Sequence, residues 1–186
     1  MSIWGGITGG LLGFVVLGPI GALVGSVIGS NVSSRSKRKR PNNFDQQVAF
    51  FAALFACLAK IAKADGRVDE AEIKKIEEII SSKLNLNREH RNFAINIFQK
   101  AKDDKVSFEA YASNLYQVLS SSPNSLLVFY EMLFELALAD GILHPNEDNL
   151  LKQIPRIFKF DEKVYKSLYE KFVDKTNDYF KTLGVN

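Results

Sequence analysis

Residues 64–72 read ADGRVDEAE, and residues 139–147 read ADGILHPNE. The two stretches share the pattern A-D-G-x-[VL]-x-x-x-E and begin 75 residues apart. Each follows an apolar run and opens an amphipathic one. A glycine commonly ends a helix, and a Glu three residues after a cap position favours the start of the next. The repeat therefore predicts two helical hairpins with equivalent turns, arranged as a pseudo-two-fold bundle.

Helical patterns extend outward from both turns. Ser122 followed by Pro123 is typical of a helix start, and an Asp at position 161 is a good N-cap. No convincing strand alternation appears. We predict an all-α domain over 45–186 with about seven to eight helices, placed at 45–63, 69–83, 88–102, 108–120, 123–139, 145–158, 161–173 and, as a short last one, 177–183.

The N-terminal segment has a different composition from the rest of the chain. Residues 1–34 contain no Asp, Glu, Lys, Arg or His and hold nine of the twelve glycines. About 20 apolar residues are enough to span a bilayer, and 3–32 supply them. We therefore predict a single transmembrane anchor over 1–34. A cleaved signal peptide is the main alternative, but it requires basic residues before the apolar run and a small-residue cleavage site after it.

A basic linker over 35–44 follows the anchor. Lys and Arg next to a spanning helix stay on the cytoplasmic side, which predicts an N-terminus outside a bacterial inner membrane and a cytoplasmic domain. Beyond residue 40 the chain has 19 Lys and Arg against 21 Asp and Glu, so no basic excess on the folded body indicates nucleic acid. The residues that set this topology are Arg35, Lys37, Arg38, Lys39 and Arg40.

The glycines of the anchor recur every four residues. In a helix such rows lie on one face and let a second backbone approach closely, which predicts a homodimer formed through the anchor. The alternative is that glycine is simply common in membrane helices. The two rows are Gly5, Gly9 and Gly13, and Gly21, Gly25 and Gly29.

Two residues of the first long apolar helix lead to structural predictions. Cys57 is the only cysteine of the chain and lies in the run FFAALFACL, so it is expected to be buried as a small hydrophobe. A single cysteine makes no internal disulfide, which suits a reducing compartment. Lys60 aligns with Glu135 in the repeat, and this alignment predicts a salt bridge between them.

Two motifs resemble a known family. AKADGRVDEAEI at 62–73 and ELALADGILHPNED at 135–148 look like the TerB-like helical domain. The whole order, with Trp4-Gly5 near the start of the apolar segment and a basic stretch after it, resembles the DjlA family of membrane-anchored DnaJ-like co-chaperones. Members of that family continue into a J domain, whose His-Pro-Asp tripeptide stimulates a partner chaperone's ATPase. That domain is lacking in these 186 residues, and His144-Pro145-Asn146 lacks the Asp, so direct stimulation is not expected to carry over.

The resemblance also implies a divalent-metal site built from acidic residues. Carboxylate oxygens from two equivalent turns suit a hard cation such as Ca²⁺. Helix capping is the alternative, since a Glu at the third helical position caps backbone N–H groups and an Asp before Gly is common in turns. The sequence leaves both readings open for Asp65, Glu72, Asp140 and Glu147.

The function predicted is that of a membrane-anchored, non-enzymatic interaction module linked to chaperone or envelope-stress signalling. No Ser/His/Asp set, phosphate-binding loop, HExxH motif or Cys/His cluster appears, so we predict no enzyme. The expected partners are the membrane and an unknown cytoplasmic protein, with no certain cofactor. The alternatives are a metal-binding stress-response sensor of the tellurite-resistance kind and a co-chaperone that acts with a separately encoded J domain.

Overall fold

The computed structural model describes residues 18–28, 43–64, 88–138 and 141–174. All regular structure in these ranges is helical, which confirms the all-α prediction for them. The elements are α1 (Pro19–Ile28), α2 (Asn43–Ala62), α3 (Arg88–Asp103), α4 (Phe108–Leu119), α5 (Pro123–Ala137), α6 (Pro145–Leu151), α7 (Ile154–Phe158), α8 (Glu162–Tyr169) and a π-helix (Glu170–Asp174) that continues α8.

Helix α2 lies at the centre of the bundle. It packs against α1, α3, α4, α5 and α6. Because it has neighbours on every side, each residue of 52–59 is at most 3% exposed. An all-round apolar helix is the sequence pattern that such a position requires. Cys57 lies in this run as a free, fully buried thiol, as predicted, and burial raises its pKa.

Two predicted helix starts have a side-chain cap in the structure. Ser107 Oγ accepts a hydrogen bond from the Ala110 N–H at 3.1 Å, and Asp161 Oδ1 accepts one from the Lys163 N–H at 2.8 Å. Each side chain thereby satisfies a backbone donor that has no partner within the helix. Gly141, which follows α5, has a φ of +90°, the left-handed region that a glycine adopts without strain.

The observed helix bounds follow the predicted ones closely at 43–62, 88–103, 108–119 and 123–137. The helix predicted over 161–173 also begins as expected, but its last five residues are π-helical. The helices predicted at 69–83 and 177–183 lie outside the described residues.

The single helix predicted over 145–158 is wrong. Helix α6 ends at Leu151 and α7 begins at Ile154, because Pro155 has no N–H and its ring clashes with the carbonyl four residues earlier. That carbonyl belongs to Leu151. It accepts a hydrogen bond from the buried hydroxyl of Tyr130 at 2.8 Å, so α5 provides the donor that proline lacks.

The predicted anchor is described only over 18–28. There the structure has the ten-residue helix α1 packed against α2, α3 and α4, where a longer spanning helix was expected. Among the residues described, no helix is both long enough and apolar enough to cross a membrane. Residues 1–17 and 29–42, which include the basic linker, lie outside the described part of the chain.

Candidate functional site

A hydrogen bond joins the two sequence repeats. Asn146, at the start of α6, donates from Nδ2 to the carbonyl of Ala64 at 3.0 Å, and 82 residues separate the donor from the acceptor. Ala64 is the first residue of the first repeat, and Asn146 belongs to the second. The two repeats are therefore in direct contact through these two described residues.

Only one of the four predicted acidic ligands is described. Glu147 Oε2 accepts a hydrogen bond from the His144 N–H at 3.1 Å, which is the capping arrangement expected for a Glu at the third helical position. Asp65, Glu72 and Asp140 lie outside the described residues. Within the described ranges, no group of three or more His, Cys, Asp or Glu side chains is placed to hold a metal ion.

A polar cluster around Asp104, in the loop between α3 and α4, was not predicted from the sequence. Asp104 Oδ1 accepts hydrogen bonds from Lys60 Nζ at 2.8 Å and from the Val106 N–H at 2.9 Å, and Oδ2 accepts one from the Tyr111 hydroxyl. The Lys60 ammonium also donates to the Asp104 carbonyl at 3.0 Å. The cluster joins α2, the loop and α4.

The ion pair that the structure gives Lys60 is with Asp104, where the repeat predicted Glu135. The two side chains are 12% and 27% exposed, so the pair is largely shielded from water. Burial, the hydrogen bond to Asp104 and the charge of Asp104 all raise the pKa of Tyr111. The tyrosine is therefore held protonated and acts as a hydrogen-bond donor.

A second cluster of one Asp, one Lys and one Tyr lies in the C-terminal part of the described chain. Asp148, on α6, accepts a hydrogen bond from the Tyr165 hydroxyl of α8 and one from Lys152 Nζ, both at 2.5 Å. Burial is the main cause that raises the pKa of Tyr165. The lysine of each cluster also lies over the tyrosine ring, at 6.0 Å for Lys60 and Tyr111 and 5.6 Å for Lys152. Both clusters hold neighbouring helices together.

An open cleft of about 660 Å³ lies between one side of α1 and the end of α3 with the following loop. Its α1 side is formed by Pro19, Ala22 and Ser26, and the facing side includes Asp104 and Tyr111. The Asp104 cluster thus borders the only part of the predicted anchor that the structure describes.

Only two of the six glycines predicted to mediate self-association lie in the described ranges. Gly21 and Gly25 lie in α1, and a Cβ atom built at Gly25 would meet no described atom within 4 Å. Gly5, Gly9, Gly13 and Gly29 lie outside the described residues.

Helices throughout the described ranges, a repeated ADG sequence motif and a preceding glycine-rich apolar segment define a class of helical domains attached to an N-terminal membrane segment. Residues 51–169 match the family model of tellurite resistance protein TerB, and residues 1–39 match the model of the co-chaperone DjlA transmembrane domain. The chain belongs to the TerB family. The second match points to a membrane-anchored protein.

Curated relatives carry the name co-chaperone protein DjlA. The relative from Photobacterium profundum is 33% identical over 87% of this chain and 62% of its own length. The relative from Coxiella burnetii is 29% identical over all of this chain and 78% of its own length. The relative from Escherichia coli is 30% identical over 81% of this chain and 57% of its own length. The chain thus spans about three fifths of most of these relatives, and no solved structure matches it.

Proposed function

We propose that this protein is a membrane-anchored, non-enzymatic interaction module of the DjlA type, which holds a TerB domain at the inner membrane to bind a cytoplasmic protein in chaperone or envelope-stress signalling. The observation that carries the proposal is the order of two family matches in one chain, with a transmembrane domain over 1–39 and TerB over 51–169. The curated relatives, which are named as co-chaperones, support the link to chaperone function.

The topology we propose is a single pass with the N-terminus outside. Its support is the basic run at 35–40, which follows the apolar segment directly. The domain boundaries proposed are 1–34 for the anchor, 35–44 for the linker and 45–186 for the helical domain.

Cysteine labelling of the full chain tests this topology. A Ser2→Cys variant should react with a membrane-impermeant maleimide in intact spheroplasts, whereas a Lys105→Cys variant should react only after the membrane is permeabilised. Lys105 is exposed on the loop between α3 and α4, and the native Cys57 is fully buried, so the wild-type chain is an unlabelled control. Labelling of the Lys105→Cys variant in intact spheroplasts would contradict the proposed orientation.

One capture experiment tests self-association and partner binding with separate readouts. We propose that the anchor forms a homodimer through its glycine rows while the helical domain binds the protein partner. A tagged chain captured from detergent-solubilised membranes should recover an untagged second copy together with a specific additional protein. A variant with Gly9→Leu and Gly13→Leu should lose most of the second copy, at least fivefold, because leucine keeps two backbones apart.

The control for this capture is a variant with Val15→Leu and Val16→Leu, which adds the same kind of side chain to the same segment without changing a glycine. It should recover the second copy as the wild type does. Equal recovery by the glycine variant would contradict the dimer, and the absence of any specific additional protein would contradict the interaction module.

A metal-binding stress sensor is the second candidate. The contact between Asn146 and Ala64 favours it, because these two residues belong to the two sequence repeats that carry the proposed carboxylate ligands. Titration of the full chain with Ca²⁺ or Mg²⁺ should then raise its melting temperature by several degrees, and a variant with Asp65→Asn and Asp140→Asn should abolish the rise. No change up to millimolar ion would leave helix capping as the role of these residues.

A further inference from the structure

Helix α1 occupies a groove formed by α2, α3 and α4. Its inner side chains are as buried as those of the domain core, with Ile20 at 0%, Leu23 at 6% and Val24 at 1% exposed. They belong to the same cluster of buried residues as the centre of α2. Because α1 carries no charged residue, nothing in it opposes burial in this groove.

A buried polar contact fixes the position of α1 in the groove. Asn114 on α4 is 5% exposed, and its Oδ1 accepts a hydrogen bond from the Ile20 N–H at 3.0 Å. This N–H lies in the first turn of α1 and has no partner within the helix. The groove therefore supplies a specific hydrogen bond as well as an apolar surface.

Gly18 adds steric specificity to the same contact. Its φ is +103°, and a Cβ atom built there would lie 2.8–2.9 Å from three atoms of the Asn114 amide. Any larger residue at this position would be strained in conformation and would collide with the side chain that holds Ile20. The residue before α1 must be a glycine for the helix to sit in the groove as it does.

The docked position of α1 excludes its use as part of a membrane span. If 18–28 are held on the domain, the apolar run 3–32 keeps only 3–17 ahead of the groove for a span. These fifteen residues reach about 22 Å as a helix, which is less than the roughly 30 Å of the hydrocarbon layer. One chain therefore cannot dock α1 and span the membrane with the same residues.

We propose that the groove between α2, α3 and α4 is an intramolecular docking site for residues 18–28 and that the protein passes from a docked state to a membrane-inserted state. The proposal rests on the membrane anchoring proposed above. In the docked state the domain holds about a third of the apolar segment, residues 18–28 of 3–32. Insertion withdraws α1, exposes Asn114 with the surrounding apolar wall, and opens the cleft beside Asp104.

Disulfide trapping of the full chain tests the docked state. In a Gly18→Cys, Asn114→Cys variant the amide that a Cβ atom at 18 would meet is replaced by a thiol, so the collision is removed. The Cβ position at 18 lies 2.9 Å from Asn114 Cγ, where the new sulfur would stand, and the bond between the two sulfurs compensates for the lost hydrogen bond to Ile20. Synthesised without membranes, the variant should form an intramolecular disulfide on mild oxidation. Synthesised with vesicles of phosphatidylethanolamine and phosphatidylglycerol, the protein that floats with the vesicles should form at least fivefold less. Chains locked by oxidation beforehand should float several-fold less, and a reductant should restore flotation.

A matched pair of variants gives a second measurement without any cross-link. Gly18→Val should prevent docking and raise, at least threefold, the fraction that floats when vesicles are added after synthesis. Ala22→Val introduces the same side chain at an exposed position of α1 that faces the open cleft, so docking and flotation should stay at the wild-type level.

The outcomes distinguish failure of this proposal from failure of membrane anchoring. A wild-type chain that does not float with the vesicles would overturn the anchoring itself. A chain that floats but forms the disulfide equally with and without vesicles would overturn the exclusion between the two states. Absence of the disulfide in membrane-free protein, together with flotation of Gly18→Val at the wild-type level, would overturn the docking site.

Discussion

Replacing Asp104 by alanine is expected to lower the free energy of unfolding by about 3 kcal/mol. The carboxylate accepts hydrogen bonds from Lys60, Val106 and Tyr111, and its loss removes the partner of each donor at once. The Lys60 side chain is only 12% exposed, so water replaces the lost contacts poorly. Urea unfolding of the full chain in one detergent, followed by circular dichroism, measures the change.

The neighbouring residue is a natural control. Asp103 is one position earlier and has the same side chain, but this side chain is 70% exposed and its ion pairs with Lys63 and Lys102 are 3.8 and 3.9 Å long. Asp103→Ala should therefore cost about 0.5 kcal/mol or less. Equal effects of Asp103→Ala and Asp104→Ala would contradict the role given to the cluster.

Removal of both charges should cost less than removal of the carboxylate alone. In a variant with Lys60→Met and Asp104→Leu no buried ammonium is left without its counter-ion, and apolar side chains take over part of the packing. We expect this variant to be more stable than Asp104→Ala. If it is less stable, the ion pair itself, and not the unpaired lysine, accounts for the loss.

The sequence could predict the parts of this fold that depend on local signals. Ser107 and Asp161 cap helices because their side chains reach backbone N–H groups two or three residues ahead, and such a contact is decided by neighbours in sequence. The same is true of the cap at Glu147 and of the left-handed Gly141. The repeat of the ADG pattern added one long-range inference, the equivalence of the two turns.

Contacts between distant segments carried no such signal. Asp104 stands in the stretch Lys102-Asp103-Asp104-Lys105, where four charged residues in a row favour a solvated loop. Nothing local indicates that Lys60 reaches Asp104 from α2. The docking of α1 was equally hidden, because an apolar glycine-rich segment satisfies the requirements of a bilayer and of a protein groove alike. Only the protein groove offers the hydrogen bond between the Ile20 N–H and Asn114 Oδ1, and these two residues are 94 positions apart in the sequence.

Pro155 is a different case, because the signal was present in the sequence. A proline four residues after Leu151 removes one helical hydrogen bond and leaves that carbonyl without its donor. The unforeseen part was the solution, since the hydroxyl of Tyr130 arrives from α5 and takes the place of the missing N–H. Burial raises the pKa of Tyr130, so the hydroxyl keeps its proton and remains a donor.

Tyr130→Phe is expected to lower the free energy of unfolding by about 2 kcal/mol, because it leaves the Leu151 carbonyl buried without a hydrogen bond. Tyr130 is fully buried, so the ring stays in place and water does not reach the carbonyl. The matched control is Tyr116→Phe. In the described part of the chain the Tyr116 hydroxyl makes no hydrogen bond, and its removal should change stability by less than about 0.5 kcal/mol.

A double-mutant cycle with Pro155→Ala assigns the cost to the helix break. Alanine at 155 restores an N–H that can donate to the Leu151 carbonyl and continue the helix, so this acceptor no longer depends on Tyr130. In the Pro155→Ala background Tyr130→Phe should then cost about 1 kcal/mol less than in the wild type. The same urea titrations measure all four proteins. If the cost of Tyr130→Phe is unchanged in that background, the hydroxyl stabilises the bundle independently of the helix break that proline causes.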